Sequence, residues 1–327
     1  MRTRFTELVG CTVPVQQAPM GPVSPPDLAV AVADAGGVGT VTALGTPPEA
    51  LLRRLDGMRQ RTAGALAINV LTTDVDDDLL ADLARSVRLV DFFWLDPSPR
   101  QIEVAHDAGA LVNWQVGSLA EAHAAVDAGC DLITVQGVEA GGHVRGREPL
   151  LPLLRTVLDA VDVPVLAAGG IADGRALAEV LGAGADGARI GTRFIATTES
   201  GAHPAYKQAV VDAAGDCTEI TGAFATDCPL CATSARARVL RRAVERVAEI
   251  DDDVVARVGR GRMPVWCGSG IPPMAGAEGH VDAMAMYAGA GVGSVTEVKR
   301  AAEVVAELVA FLDQYESTGT AAPGTPS

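Results

Sequence analysis

Aromatic side chains are scarce in this chain, at 4% of its residues, so a buried core has to be built from Ala, Val, Leu and Ile. Lysine occurs only as Lys207 and Lys299, and neither closes an apolar run of the kind that forms a buried strand. That argues against a Schiff-base aldolase, which needs an amine at such a place. Positive charge is also short: 26 Lys and Arg face 41 Asp and Glu, a net charge of −15. Nucleic acid and anionic membranes, which call for basic surfaces, are therefore not expected partners. No apolar run reaches the roughly 18–20 residues of a membrane span. The first ten residues, MRTRFTELVG, lack the apolar core of a signal peptide. The protein is expected in the cytoplasm, with its six cysteines reduced. Cys228 and Cys231 have CxxC spacing, but no second such pair exists to complete a zinc site, so no metal is expected.

What the chain does contain is a repeated alternation. Apolar runs at 13–17, 39–43, 65–70, 89–95, 110–115, 131–136, 163–168 and 186–190 read as strands, with amphipathic stretches between them. Pro25 and Pro26 open the first intervening helix and Gly36-Gly37 close it. Ser118 with Glu121 three residues on is a capping-box pattern. Eight strand–helix units point to an α/β fold of the (β/α)8 TIM-barrel type. A doubly wound open sheet is the alternative, because alternation alone does not show closure. The first strand leaves through Ala18-Pro19-Met20-Gly21 and not through GxGxxG, which disfavours a dinucleotide-binding half.

The expected organisation is therefore barrel strands over 1–196, an inserted lid over the barrel mouth at 197–280, closing helices over 281–316 and a low-complexity, disordered tail at 317–327. Within the insertion, 235–250 reads as a basic amphipathic helix; after it, 281–288 and 295–315 read as the closing helices.

The strand ends carry the chemistry. Residues 131–147, DLITVQGVEAGGHVRGR, deliver Gln136 and then a glycine loop bearing His143. Gln136 offers a donor and an acceptor, as the edge of a heteroaromatic ring requires. Gly141 and Gly142 let backbone come against a flat ligand, and the His143 imidazole is placed to move a proton. The other histidines sit in helices (His106, His123) or in the insertion (His203, His280), where the latter two are candidates for the mouth. The loops after the seventh and eighth strands, AAGGIADG and RIGTRF, match the usual phosphate position of such barrels. There Gly169, Gly170 and Gly191 expose backbone N–H groups, and Thr192 adds a hydroxyl. Asn69 and Met20 end two other strands, and this small, apolar and amide lining suits a flavin. No strand end carries the carboxylates Mg²⁺ would need, Glu139 being the nearest candidate.

QAPMG at 17–21, AGGVGT at 35–40, INV at 68–70, QGVEAGGH at 136–143, AAGGIADG at 167–174, GARIGTRF at 187–194 and ESGAHPAYK at 199–207 together resemble the nitronate monooxygenase (2-nitropropane dioxygenase) family, over about residues 12–312. The flavin-dependent enoyl-acyl-carrier-protein reductases share several of these motifs. The resemblance implies FMN bound non-covalently at the barrel mouth. It implies contacts from Asn69, Gln136, Gly141, Gly170, Gly191 and Thr192, backbone from Arg189 and Ile190, and Met20 packed near the ring. His143 matches the family's catalytic histidine. The implied reaction is oxidation of alkyl nitronates by O2 to a carbonyl compound and nitrite.

The expected partners are thus a small-molecule substrate and O2, with a homodimer left open. Three readings stand: the nitronate monooxygenase, an FMN-dependent NAD(P)H reductase of enoyl thioesters, and a flavin-binding barrel without turnover. The reductase needs a basic patch, for which Arg236, Arg238, Arg241, Arg242 and Arg246 are candidates against a merely solvated face. The chain departs from the family at Ala290, where glutamine is usual.

Overall fold

A computed structural model describes residues 1–71, 75–215, 217–226, 228 and 236–318, with side chains described as far as 312. The expected tail lies outside these residues from 319 onward, as does Cys231.

A short helix, α1 (Arg4–Val9), precedes the first strand, β1 (Val15–Gln17). The strict alternation follows: α2 (Pro26–Asp34), β2 (Val38–Thr42), α3 (Pro48–Arg59), β3 (Ala65–Val70), α4 (Asp77–Arg85), β4 (Leu89–Phe92), α5 (Pro99–Asp107), β5 (Leu111–Val116), α6 (Leu119–Asp127) and β6 (Leu132–Gln136). A three-residue strand, β7 (Gly142–Val144), comes before α7 (Leu150–Leu158), β8 (Val165–Ala168), α8 (Gly174–Gly182), β9 (Gly187–Ile190) and the single turn α9 (Thr192–Ile195). Strands β1 to β6, β8 and β9 form a closed parallel barrel. Closure is made by β9 on β1, with Gln16 opposite Arg189 and Gln17 opposite Ile190. The open-sheet alternative is thereby excluded. These strands read as apolar runs because parallel strands inside a ring of helices are buried on both faces.

Several helices start where a side chain satisfies an orphan N–H, each such cap contributing about 1 kcal/mol. Asp76 accepts from Leu79 N at 2.8 Å and Asp173 from Ala176 N at 2.8 Å. Ser118 accepts from Glu121 N at 3.3 Å, but Glu121 does not complete the box. Its carboxylate instead takes the Gly117 N–H at 2.7 Å and the Arg145 guanidinium at 2.8 Å.

The two ends of the barrel differ in chemistry. At the N-terminal end α1 packs Phe5 and Val9 with Val38, Ala65, Leu89, Leu132 and Leu166 into a small apolar plug. Above it the interior is polar. The Arg189 guanidinium, 2.5 Å from Asp91, also donates to Gln115 at 2.8 Å and to Gln16 at 3.0 Å. Asn113 joins Asp91 (2.5 Å) to Thr134 (2.9 Å).

After α9 the chain leaves the barrel through α10 (Pro204–Val211), β10 (Thr218–Thr221), β11 (Arg236–Leu240), α11 (Arg241–Ala248), β12 (Val254–Val258), β13 (Met263–Trp266) and β14 (Glu278–Gly279). The order β10-β11-β7 makes one antiparallel sheet and β13-β12-β14 a second. It returns with α12 (Ala301–Thr318), which lies against α8 and α2 and so completes the ring of helices.

Three expected helices differ here. Among the described residues of the 235–250 stretch only Arg241–Ala248 is helical, because Arg236–Leu240 alternates in burial and pairs on both edges, with β10 and with β7. The 281–288 stretch is one 3-10 turn, Val281–Ala283, followed by buried extended chain. The last helix begins at Ala301 and not at 295, because the chain before it is bridged to Thr197: Lys299 N donates to the Ala196 carbonyl and the Lys299 carbonyl accepts from Thr198 N.

Candidate active site

A cavity of about 790 Å³ opens at the C-terminal ends of the barrel strands. Met20, Asn69, Gln136, Gly141, His143, Gly170, Arg189, Gly191 and Thr192 all line it. Ile190 does not. Its side chain is fully buried away from the wall, and its carbonyl is taken by the Ala18 N–H at 2.8 Å. His203 and His280 are not in the wall either; His203 Nδ1 accepts from Ala205 N at 3.1 Å and caps α10. His106 lies in α5 and meets Asp131 at 2.8 Å.

Asn69 ends β3. Its Nδ2 donates to the Asp91 carbonyl at 3.2 Å, while its Oδ1, wholly buried, has no hydrogen-bond partner among the described residues. Such an orphaned acceptor costs about 1–3 kcal/mol unless a ligand supplies a donor.

Gln136 ends β6 and does something the sequence did not suggest. Its Nε2 donates to the His143 carbonyl at 3.0 Å, and its Oε1 accepts from Arg145 N at 3.0 Å. The amide thus fixes the strand that bears His143. The same strand is held from its other side by β11, with His143 opposite Ala237. The imidazole lies edge-on to Trp94, 5.9 Å between centroids, and 5.8 Å from the Tyr287 ring. Its Nε2 is 3.1 Å from Cys228 Sγ.

The glycine loops converge on the same wall. Gly170 has φ +71°, a left-handed conformation that L side chains rarely adopt. A Cβ on Gly141 would lie 2.6 Å from Gly289 N, so only glycine permits the C-terminal segment to dock against this loop. The Thr192 hydroxyl accepts from Gly289 N at 2.9 Å. Ala290 itself is exposed and outside the wall, so the departure from the family's glutamine points to solvent; its N–H donates to the Glu139 carbonyl at 2.9 Å. The Glu139 carboxylate is engaged at the start of α7, accepting from Leu150 N at 3.0 Å.

Residues of the 197–280 stretch, Tyr206, Cys228, Met263 and Trp266 among them, contribute more of the wall. Tyr206 is fully buried, and desolvation pushes its hydroxyl well above the usual tyrosine range, so it stays neutral and donates to the Tyr287 carbonyl at 2.5 Å. The outer rim carries Met263, 62% exposed, Trp266, 46%, and Leu44, 41%. Arg54 also lines it, with no ion pair among the described residues.

Sequence reasoning missed three features: the Asp91–Arg189 pair, the Cys228–His143 contact and the apolar rim. Only Asp91 left a visible signal, a carboxylate inside the apolar run LVDFF. Among the described residues no group of three or more His, Cys, Asp or Glu is placed to hold a metal ion, and no helix is long and apolar enough to cross a membrane.

A family model described as nitronate monooxygenase matches residues 2–84 and 54–310. A protein of Rhodococcus jostii, named as a 5-hydroxy-7a-methyl-1-oxo-octahydro-1H-indene-4-carboxyl-CoA dehydrogenase, is 39% identical over 202 residues, 61% of this chain. The match spans under two thirds of that relative, 57% of its length. The structure of FabK from Thermotoga maritima is similar with a TM-score of 0.81 and 28% identity, covering 97% of this chain and 98% of that one. A nitroalkane oxidase from Streptomyces ansochromogenes is similar with a TM-score of 0.76 and 28% identity, covering 97% of this chain and all of that one. The family match covers nearly the whole barrel and the insertion together, and the chain belongs to the nitronate monooxygenase family of oxidoreductases.

Proposed function

We propose that the chain binds FMN in this cavity and oxidises alkyl nitronates, with O2, to a carbonyl compound and nitrite. The observation that carries the cofactor is the unpartnered Asn69 Oδ1, a buried acceptor that a ring N–H of a flavin would satisfy. The glycine wall fits the same group, because Gly141, Gly170 and Gly191 line the cavity with no side chain of their own, and a Cβ at Gly141 or Gly170 would meet Gly289 or Glu139. FMN supplies, when bound, the redox centre that accepts electrons from the substrate.

The chain's own residues do the remaining work. Met20 packs against the ring, while the Gly170, Gly191 and Thr192 amides and the Thr192 hydroxyl hold the phosphate. The Arg189 side chain stays in its buried pair with Asp91 beneath the cavity. His143 takes the proton from the carbon bearing the nitro group of a neutral nitroalkane, or holds the anionic nitro group of a nitronate. Residues of the 197–280 insertion act as a lid that limits water at the mouth.

A second reading, an FMN-dependent NAD(P)H reductase of an enoyl thioester, is favoured by the apolar rim of Met263, Trp266 and Leu44 beside Arg54, which suits a large substrate with an anionic handle. The arginines proposed for a carrier patch favour it less. Arg238 is spent on the Val138 carbonyl, Arg241 on Glu219, and Arg246 on Asp282 and Glu249.

Acid extraction of the purified protein, followed by mass spectrometry of the released chromophore, tests the cofactor. FMN in near-equal amount to protein supports the proposal; FAD or no flavin contradicts it.

A further inference from the structure

Half of the Cys-Pro-Leu-Cys motif lies in the cavity wall, and the reaction proposed above leaves it without a role. Cys228 Sγ sits 3.1 Å from His143 Nε2, within hydrogen-bonding distance for sulfur, and both residues line the cavity. The imidazole is not free to swing away. Its backbone is held by Gln136 and by β11, and its ring lies between Trp94 and Tyr287. A fixed imidazole beside a thiol accepts the thiol proton and leaves a thiolate, the form of cysteine that reacts.

Cys11, Cys130 and Cys267 sit in different surroundings. Burial pushes the Cys11 thiol up to about 11 and the Cys130 thiol up to about 12, so both stay protonated. Cys267 Sγ faces the Val247 carbonyl at 3.9 Å. The cavity also carries an independent sign that it takes a ligand, the buried and unpartnered Asn69 Oδ1.

We propose that Cys228 and His143 form a nucleophilic pair that takes soft carbon electrophiles entering the cavity, α,β-unsaturated carbonyl compounds foremost. The step balances within the pair and the ligand. His143 Nε2 receives the proton from Cys228 Sγ. The sulfur lone pair forms a bond to the β-carbon, and the C=C π pair moves to the α-carbon. The proton on His143 then passes to that carbon. The net change is addition of the thiol across the double bond, with no oxidant or reductant. The adduct occupies the cavity beside His143 and blocks it.

The test uses N-ethylmaleimide on the full chain as purified with its bound cofactor, at near-neutral pH, followed by peptide mass spectrometry over time. It needs no substrate, so its result is independent of the oxidation proposed above. Cys228 is expected to be labelled at least about tenfold faster than Cys11, Cys130 or Cys267, as a thiolate reacts and a thiol does not. In His143→Gln, which fills the same space without accepting a proton, Cys228 labelling is expected to slow at least about tenfold while Cys267 labelling is unchanged. Labelling of Cys228 at the rate of Cys267 in the unaltered protein overturns the proposal, a comparison that stands even if the variant does not fold. Equal Cys228 rates with and without the imidazole, in a variant whose circular dichroism matches the parent, overturn it as well.

Discussion

The Gln136 side chain grips the main chain of His143: its Nε2 donates to the His143 carbonyl at 3.0 Å while its Oε1 accepts from the next-but-one amide, Arg145 N. The last residue of a barrel strand thus sets the position of the one histidine in the cavity wall. Gln136→Leu leaves a carbonyl and an N–H without partners, each costing about 1–3 kcal/mol. Turnover is expected to fall about tenfold or more as the imidazole loses its placement. Flavin content and circular dichroism should stay close to those of the parent. A variant that turns over normally would show that the hydrogen bonds of β11 alone suffice to hold the strand.

His143→Ala tests the proton-moving role directly. The fold and the visible flavin absorbance are expected to persist, because the ring packs in the wall and not in the core. Turnover is expected to drop by about 10²–10⁴, the usual contribution of a positioned acid–base group. Undiminished steady-state turnover would remove His143 from the mechanism.

Gly170 tests the phosphate position. Its φ of +71° costs a side chain about 1–2 kcal/mol, and a Cβ there lies 3.1 Å from the Glu139 Cβ. Gly170→Ala carries that strain without charge and is expected to keep flavin. Gly170→Asp adds a carboxylate where an anion is proposed to bind and is expected to purify colourless. A yellow Gly170→Asp protein would move the phosphate site elsewhere.

The buried Asp91–Arg189 pair, with side chains 0% and 2% exposed, is a matter of stability. Asp91→Ala strands a guanidinium inside the barrel and is expected to lower the unfolding free energy by about 3–5 kcal/mol, read from urea denaturation. A loss under about 1 kcal/mol would mean that Gln16 and Gln115 alone satisfy Arg189.

Most of the barrel was legible because its strands are buried on both faces and so form continuous apolar runs, and because glycine loops mark their C-terminal ends. What escaped was short or non-local. The helix α1 has six residues, too few for a helical period to show, and its cap is Thr3 with Thr6 and not an acidic pattern. The strand β7 has three residues, one of them glycine, and exists because β11 pairs with it. β11 itself, RARVL, looks helical in isolation and becomes a strand through its two neighbours. The site pairs are more distant still. Asp91 and Arg189 are 98 positions apart, and His143 and Cys228 are 85 apart, so no local pattern joins them. Gln136 was visible as a polar strand end, but its bond to the chain seven residues on depended on how the loop turned back.

Anaerobic reduction of the bound flavin tests the central claim most directly. The purified protein would be mixed separately with an alkyl nitronate, with NADH and with NADPH, and bleaching followed in the visible flavin band. Oxidation of nitronates predicts bleaching by the nitronate and none by either nicotinamide. Fast bleaching by NADH or NADPH, with the nitronate inert, would contradict the account and make the enoyl-thioester reductase the function to pursue.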